Sequence, residues 1–96
     1  MRYNKRPITI DAAPVGELCH AASSKWSDLP AWVVAAYDKG EILFLNDGLD
    51  VKTLEGRVKA EMTDWLLQGI KGELYPCKPD IFAASYDPVD PAETLP

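Results

Sequence analysis

The sequence predicts an α+β domain in which two short N-terminal helices pack on a mainly antiparallel sheet of about five or six strands. Three observations support this fold class. Apolar residues recur at helical spacing between residues 14 and 40, whereas strand patterns follow between 41 and 75, as compact apolar runs at 42–45 and 65–67 and as alternation at 49–53 and 58–62. The length of 96 residues also suits one domain. We assign residues 1–89 to that domain, and residues 90–96, which are acidic and rich in proline, to a mobile tail.

The first predicted element is a strand over residues 8–12. Ile8 and Ile10 alternate there with Thr9 and Asp11, which is the pattern of a half-buried strand. We expect this first strand to pair antiparallel with the last strand, over residues 85–89, so that the sheet closes and holds both ends of the domain.

Two helices are predicted next. The first begins near Pro14, which suits a first helical turn because proline lacks the N–H that would remain unpaired there. The second is capped by Asp28, carries Pro30 in its first turn and ends at Gly40. The apolar faces are Val15, Leu18, Cys19 and Ala22 in the first helix, and Leu29, Trp32, Val33, Ala36 and Tyr37 in the second.

The period then changes to two, and the chain predicts an antiparallel meander. Strands are expected over residues 41–45, 49–53, 58–62, 65–67 and 73–75, and glycine occurs in three of the four turns between them, the exception being Thr63-Asp64. Pro76 and Pro79 exclude a central strand after residue 75, and residues 79–84 predict a short helix.

Charge and composition exclude several classes of protein. The net charge of -5 and the pI near 4.7 argue against direct nucleic-acid binding, which usually needs a basic face. No apolar run approaches the roughly 20 residues of a membrane-spanning helix. The charged segment 7–11 interrupts any secretory signal, so we expect a cytoplasmic protein without a membrane partner. Two cysteines far apart in sequence predict free thiols.

No catalytic constellation stands out, and we expect a non-enzyme without a cofactor. His20 adjoins Cys19, but neighbouring residues on a helix point about 100° apart. Cys77 precedes Lys78, whose charge would favour a thiolate, yet no base accompanies them. One histidine and two distant cysteines do not form a zinc pattern, so no metal site is expected.

The chain carries a set of short motifs in a fixed order. They are residues 6–12 (RPITIDA), 29–33 (LPAWV), 52–56 (KTLEG), 64–65 (DW), Gly69, 72–82 (GELYPCKPDIF) and Tyr86. In this set it resembles a widespread group of small proteins encoded by phages and prophages, which are largely without an assigned function. The resemblance implies a phage origin and synthesis in the cytoplasm of a bacterial host, and it implies no reaction.

Binding is therefore the predicted function, with inhibition of a host defence or nucleic-acid-processing protein as the first interpretation. Trp26 lies in the polar link between the helices, where it is either an interface anchor or a lid over the core. The proposed face for a basic groove is formed by Asp47, Asp50, Glu55, Glu61 and Asp64, together with the acids near the C-terminus, Asp87, Asp90 and Glu93. The competing interpretation, which carries at least equal weight, is that the net charge of -5 only aids solubility. An open sheet edge also allows a homodimer.

Two alternatives stay open. The first is a sponge for an anionic small molecule such as a signalling nucleotide, since cations with a stacking aromatic suit that ligand. Its candidate residues are Lys52, Lys71, Tyr75 and Lys78. The second is a virion or assembly component, which only the phage resemblance favours.

Overall fold

The computed structural model describes residues 1–2 and 8–88, and it confirms the α+β class. The predicted tail at 90–96 and residue 89 lie outside the described residues. The strands are β1 (Asp11–Pro14), β2 (Ile42–Leu45), β3 (Gly48–Thr53), β4 (Gly56–Glu61), β5 (Trp65–Gln68) and β6 (Leu74–Cys77). The helices are α1 (Val15–Ser24), α2 (Ala31–Asp38) and α3 (Pro79–Ser85), with a short 3₁₀ turn at Trp26–Asp28.

The strands described form two three-stranded antiparallel sheets. Sheet A has the order β1-β5-β6, and sheet B has the order β2-β3-β4. In sheet B two-residue turns join consecutive strands, which pairs Leu45 with Gly48 and Thr53 with Gly56. A core of fully buried aliphatic side chains lies between sheet B, helix α1 and the inner face of sheet A. Its largest members are Val15, Val33, Ile42, Leu49, Val51 and Leu66.

Helix α1 starts directly from β1, and the turn between β4 and β5 holds this junction. The N–H groups of Val15 and Gly16 donate to the carbonyl oxygens of Asp64 (2.9 Å) and Met62 (3.0 Å). These are two of the N–H groups that every helix start leaves without an intrahelical partner. A Cβ at Gly16 would lie 3.1 Å from the Met62 oxygen, so the close approach favours glycine.

Strand β5 lies at the centre of sheet A and is buried on both faces. Leu66 points to the main core, and Leu67 points to the opposite face. Helix α3 reaches that opposite face through Phe82, whose ring stacks on Trp65 with centroids 4.0 Å apart. Tyr86 stacks on Phe82 in turn, at 5.3 Å.

Two features of the predicted architecture are wrong. The single sheet is divided into two, because the turn after β4 leads β5 away to pair with β1 and β6. The first strand is Asp11–Pro14 rather than residues 8–12, and it pairs with β5 rather than with the last strand. Helix α3 ends at Ser85, and the ring of Tyr86 stacks on Phe82 of that helix. The described part of the predicted last strand, residues 85–88, therefore forms no strand.

Candidate protein-binding surface

The predicted acidic face is largely neutralised on the outer side of sheet B. Asp47 accepts a hydrogen bond from Lys59 at 2.6 Å, and Asp50 accepts one from Arg57 at 2.5 Å. Glu61 lies 3.8 Å from the same Lys59. The hydrogen bond to Lys59 lowers the pKa of Asp47, and the pKa of Lys59 is raised in return. Lys59 is thus shared by Asp47 and Glu61, Arg57 pairs with Asp50, and these three predicted acids are all next to a cation.

Asp64 is buried, with 3% of its surface exposed, and this corrects its assignment to an exposed face. Its Oδ2 atom accepts the Glu61 N–H at 2.9 Å, and its own N–H donates to the Glu61 carbonyl at 3.0 Å. Its Oδ1 atom lies 3.4 Å from Nζ of Lys78. Asp64 thus stabilises the β4–β5 turn, and Lys78, a candidate ligand-binding cation, is engaged by it.

Trp26 is both partly exposed, as an interface anchor would be, and packed on the core, as a lid would be. Its side chain is 40% exposed, and its ring meets Tyr37 edge to face with centroids 5.0 Å apart. Phe44 lies 5.7 Å away in a similar arrangement. The three rings cover the inner side of β2, so Trp26 works as a partial lid and still presents one side to solvent.

The structure does not bring the candidate ligand-binding residues into one depression. Lys71 and Tyr75 line two adjoining depressions, while Lys78 lies beside Asp64 and Lys52 lines neither. Burial and the neighbouring Tyr86 hydroxyl raise the pKa of Tyr75 to about 12. Its hydroxyl is therefore neutral at physiological pH.

Both cysteines are free and half-buried. Burial raises the pKa of Cys19, whose Sγ donates to the Gly48 carbonyl at 3.4 Å. Burial, followed by the charges of Asp64 and Asp80, raises the pKa of Cys77. Burial and the acids near this thiol favour its neutral form, so the neighbouring Lys78 does not lower the pKa of Cys77.

One surface was missed by the sequence analysis, and we call it the hairpin-tip surface. It consists of Leu54, Ile70, Glu41, Glu55 and Glu73. Leu54 is at the tip of the β3–β4 hairpin and is 88% exposed, while Ile70 is at the β5–β6 turn and is 69% exposed. The surface borders two adjoining depressions of about 520 and 570 Å³, which share Leu54 and Glu73.

The charges of the hairpin-tip surface differ from those on the outer side of sheet B. Its three carboxylates form no ion pair with the described residues, and Lys71 is the one cation that lines the depressions there. Glu73 accepts the backbone N–H of Lys71 at 3.1 Å. The sequence does contain a signal for this surface, because Leu54 and Ile70 lie inside turns, where polar residues and glycine are usual.

Within the described residues, no group of histidine, cysteine and carboxylate side chains is arranged to hold a metal ion. None of the described helices has the length and apolarity needed to cross a membrane. Comparison with known proteins found no matching family model, no matching curated protein and no matching solved structure.

Proposed function

We propose that this chain is a phage-encoded accessory protein that binds and inhibits a protein of its bacterial host, in the host cytoplasm and without catalysis. The phage origin rests on the resemblance of its motifs. The binding role rests on one observation, which is the exposure of Leu54 and Ile70 beside three carboxylates that have no cationic partner among the described residues.

Such a surface has the composition of a protein interface. Exposed aliphatic side chains at turn tips add nothing to the core, whereas clustered apolar surface with a polar rim is typical of an interaction site. The unpaired carboxylates favour a partner with lysine or arginine around an apolar centre. A basic, nucleic-acid-processing protein of the host has this chemistry. The nucleotide sponge and the virion component stay predictions.

The test compares two double variants that each remove a pair of exposed aliphatic side chains. Leu54→Ala with Ile70→Ala alters the hairpin-tip surface, and Leu43→Ala with Leu45→Ala alters the outer side of β2 as a matched control. Tagged wild-type protein is used to capture partners from bacterial lysates, and the recovered protein is purified and titrated against each variant by calorimetry.

The hairpin-tip variant should weaken binding at least about tenfold, while the control remains within about twofold of wild type. Inhibition of the purified partner should follow the same order. Failure to recover a stoichiometric protein partner would count against the proposed function. Equal loss in both double variants would show that the binding surface is elsewhere.

A further inference from the structure

The edges of sheet A are closed by proline. In an antiparallel pair, the N–H and C=O of one residue point to the neighbouring strand and those of the next point away. The Gly69 N–H donates to the Glu73 carbonyl at 2.8 Å, so these two residues form a hydrogen-bonded pair. Every second residue of β5, counted from Gly69, therefore turns its N–H and C=O to β6, and the residues between them turn theirs to β1. Pro14 in β1 and Pro76 in β6 then fall at outward-pointing positions. Because proline has no N–H to donate there, neither edge readily accepts another strand.

One edge of sheet B is covered as well. The hydrogen bond from the Lys52 N–H to the Glu41 carbonyl, at 2.8 Å, sets the alternation and leaves Ile42 and Phe44 of β2 pointing outward. Ile42 is fully buried, and the rings of Trp26 and Tyr37 pack against Phe44. The edge of β2 is therefore protected by the segment before α2 and by α2 itself.

Strand β4 is different. The same alternation turns the backbone groups of Arg57, Lys59 and Glu61 away from β3. Asp64 satisfies both groups of Glu61, but no backbone hydrogen bond from the described residues reaches Arg57 or Lys59 on that side. Residues 56–59 are all exposed. Of the four edges described, β4 thus has a stretch that is neither covered nor interrupted by proline.

A groove adjoins this open edge on the inner face. Val58 lies between the two outward-pointing residues, and its side chain lines the depression of about 520 Å³ together with Leu54, Tyr75 and Pro76. Side chains alternate between faces along a strand. A strand added to β4 would therefore direct every second side chain into this apolar groove, next to the hairpin-tip surface.

We infer that the β4 edge takes an extended segment of the target protein by strand addition. The segment hydrogen-bonds with the backbone of Arg57 and Lys59, places an apolar side chain beside Val58 and carries neutral or acidic side chains on the outer face. A second copy of β4 is a poorer occupant, because the antiparallel registers that pair both Arg57 and Lys59 with strand β4 of the copy set at least one of them opposite a cation. This inference rests on the proposed function and specifies how the partner is held.

The test uses a random library of linear peptides selected on the immobilised wild-type protein. Enriched peptides should show apolar and polar residues in alternation, and their binding should slow hydrogen exchange at the amides of Arg57 and Lys59. Lys59→Pro should weaken binding at least about tenfold, because it removes a donor that faces the peptide, while the matched variant Lys59→Ala keeps this N–H, loses only an exposed charge and weakens binding less than about fivefold. Arg57→Pro serves as a second variant if Lys59→Pro alters the melting temperature.

The peptide provides a control that does not depend on folding of a variant. N-methylation at alternate peptide residues should abolish binding in one phase of the alternation and have little effect in the other. The inference is overturned if no peptide is enriched, if the two amides stay unprotected, or if both methylation phases behave alike. A captured partner that binds wild type and Lys59→Pro equally would overturn strand addition and leave the proposed function standing. Dimerisation through β4 in solution would overturn the choice of occupant.

Discussion

Gly48, at the start of β3, should tolerate substitution much less than Gly40 does. Its φ of 155° lies in a region that is essentially reserved for glycine, and a Cβ at this position would overlap the carbonyl oxygen of Ala60 in the facing strand. Gly40, which follows α2, offers a matched control. It also has a positive φ, of 73°, but a Cβ there would have no heavy atom within 4 Å.

The two costs can be worked out separately. A side chain at a strongly disfavoured backbone conformation costs about 1–3 kcal/mol. Relief of the overlap at Gly48 also requires β3 and β4 to separate near the hydrogen-bonded pair of Leu49 and Ala60, and each lost hydrogen bond costs about 0.5–1.5 kcal/mol. We expect Gly48→Ala to lower the free energy of unfolding by about 3–5 kcal/mol, and Gly40→Ala by about 1–2 kcal/mol.

Urea titrations followed by tryptophan fluorescence measure both variants, with m-values compared to check that the transition stays two-state. For a domain of this size the difference corresponds to at least about 4 °C in melting temperature. If the two variants lose the same free energy within about 0.5 kcal/mol, the contact between Gly48 and β4 does not limit this position, and the reasoning fails.

Three further predictions concern one buried carboxylate, Asp64, and two half-buried ionisable side chains, Cys77 and Tyr75. Asp64→Ala should lower the free energy of unfolding by about 1–3 kcal/mol, because the Glu61 N–H loses a charged acceptor, and Asp64→Asn should lose less in the same urea titrations. In a Cys19→Ala background, Cys77 should react with iodoacetamide more slowly when folded than in urea at pH 8, since its pKa is raised; equal rates would contradict this. Tyr75 has an ordinary pKa of 10.0 and a folded pKa of about 12, so the unfolded state releases this proton first. Stability should therefore fall as the pH rises from 10 to 12, and urea midpoints of Tyr75→Phe should fall less over that interval.

The elements were predictable from local patterns, and their assembly was not. Alternation and glycine turns located the β2–β3 and β3–β4 hairpins, whose register follows from turn length alone. The partner of β5 depends on contacts between residues that are far apart in sequence. Leu66 and Leu67 are adjacent, and both are fully buried, so both faces of β5 must be covered. The predicted single sheet, closed by pairing of the first strand with the last, contained nothing that covers the second face.

The candidate binding residues illustrate the same limit. Sequence alone shows acidic residues but not their neighbours, and the cross-strand register decides which acids are neutralised. Asp50 meets Arg57 and Asp47 meets Lys59 because the β3–β4 pairing places them together. Glu55, at the hairpin tip, stays without an ionic partner among the described residues. Only the folded arrangement separates a neutralised acid from one available to a partner.

The closing of edges and the pairing of charges lead to the same region of the molecule. Proline interrupts both edges of sheet A, and aromatic rings cover β2, so among the described strands β4 offers the edge that is open to another chain. Exposed ion pairs on the outer face contribute at most about 1 kcal/mol each to stability, so their main consequence is to remove net charge from that face. The hairpin tips, immediately beside the open edge, carry three carboxylates that form no ion pair with the described residues, namely Glu41, Glu55 and Glu73. A basic partner would be attracted to the tips and held at β4, so salt should slow its association more than it speeds its dissociation.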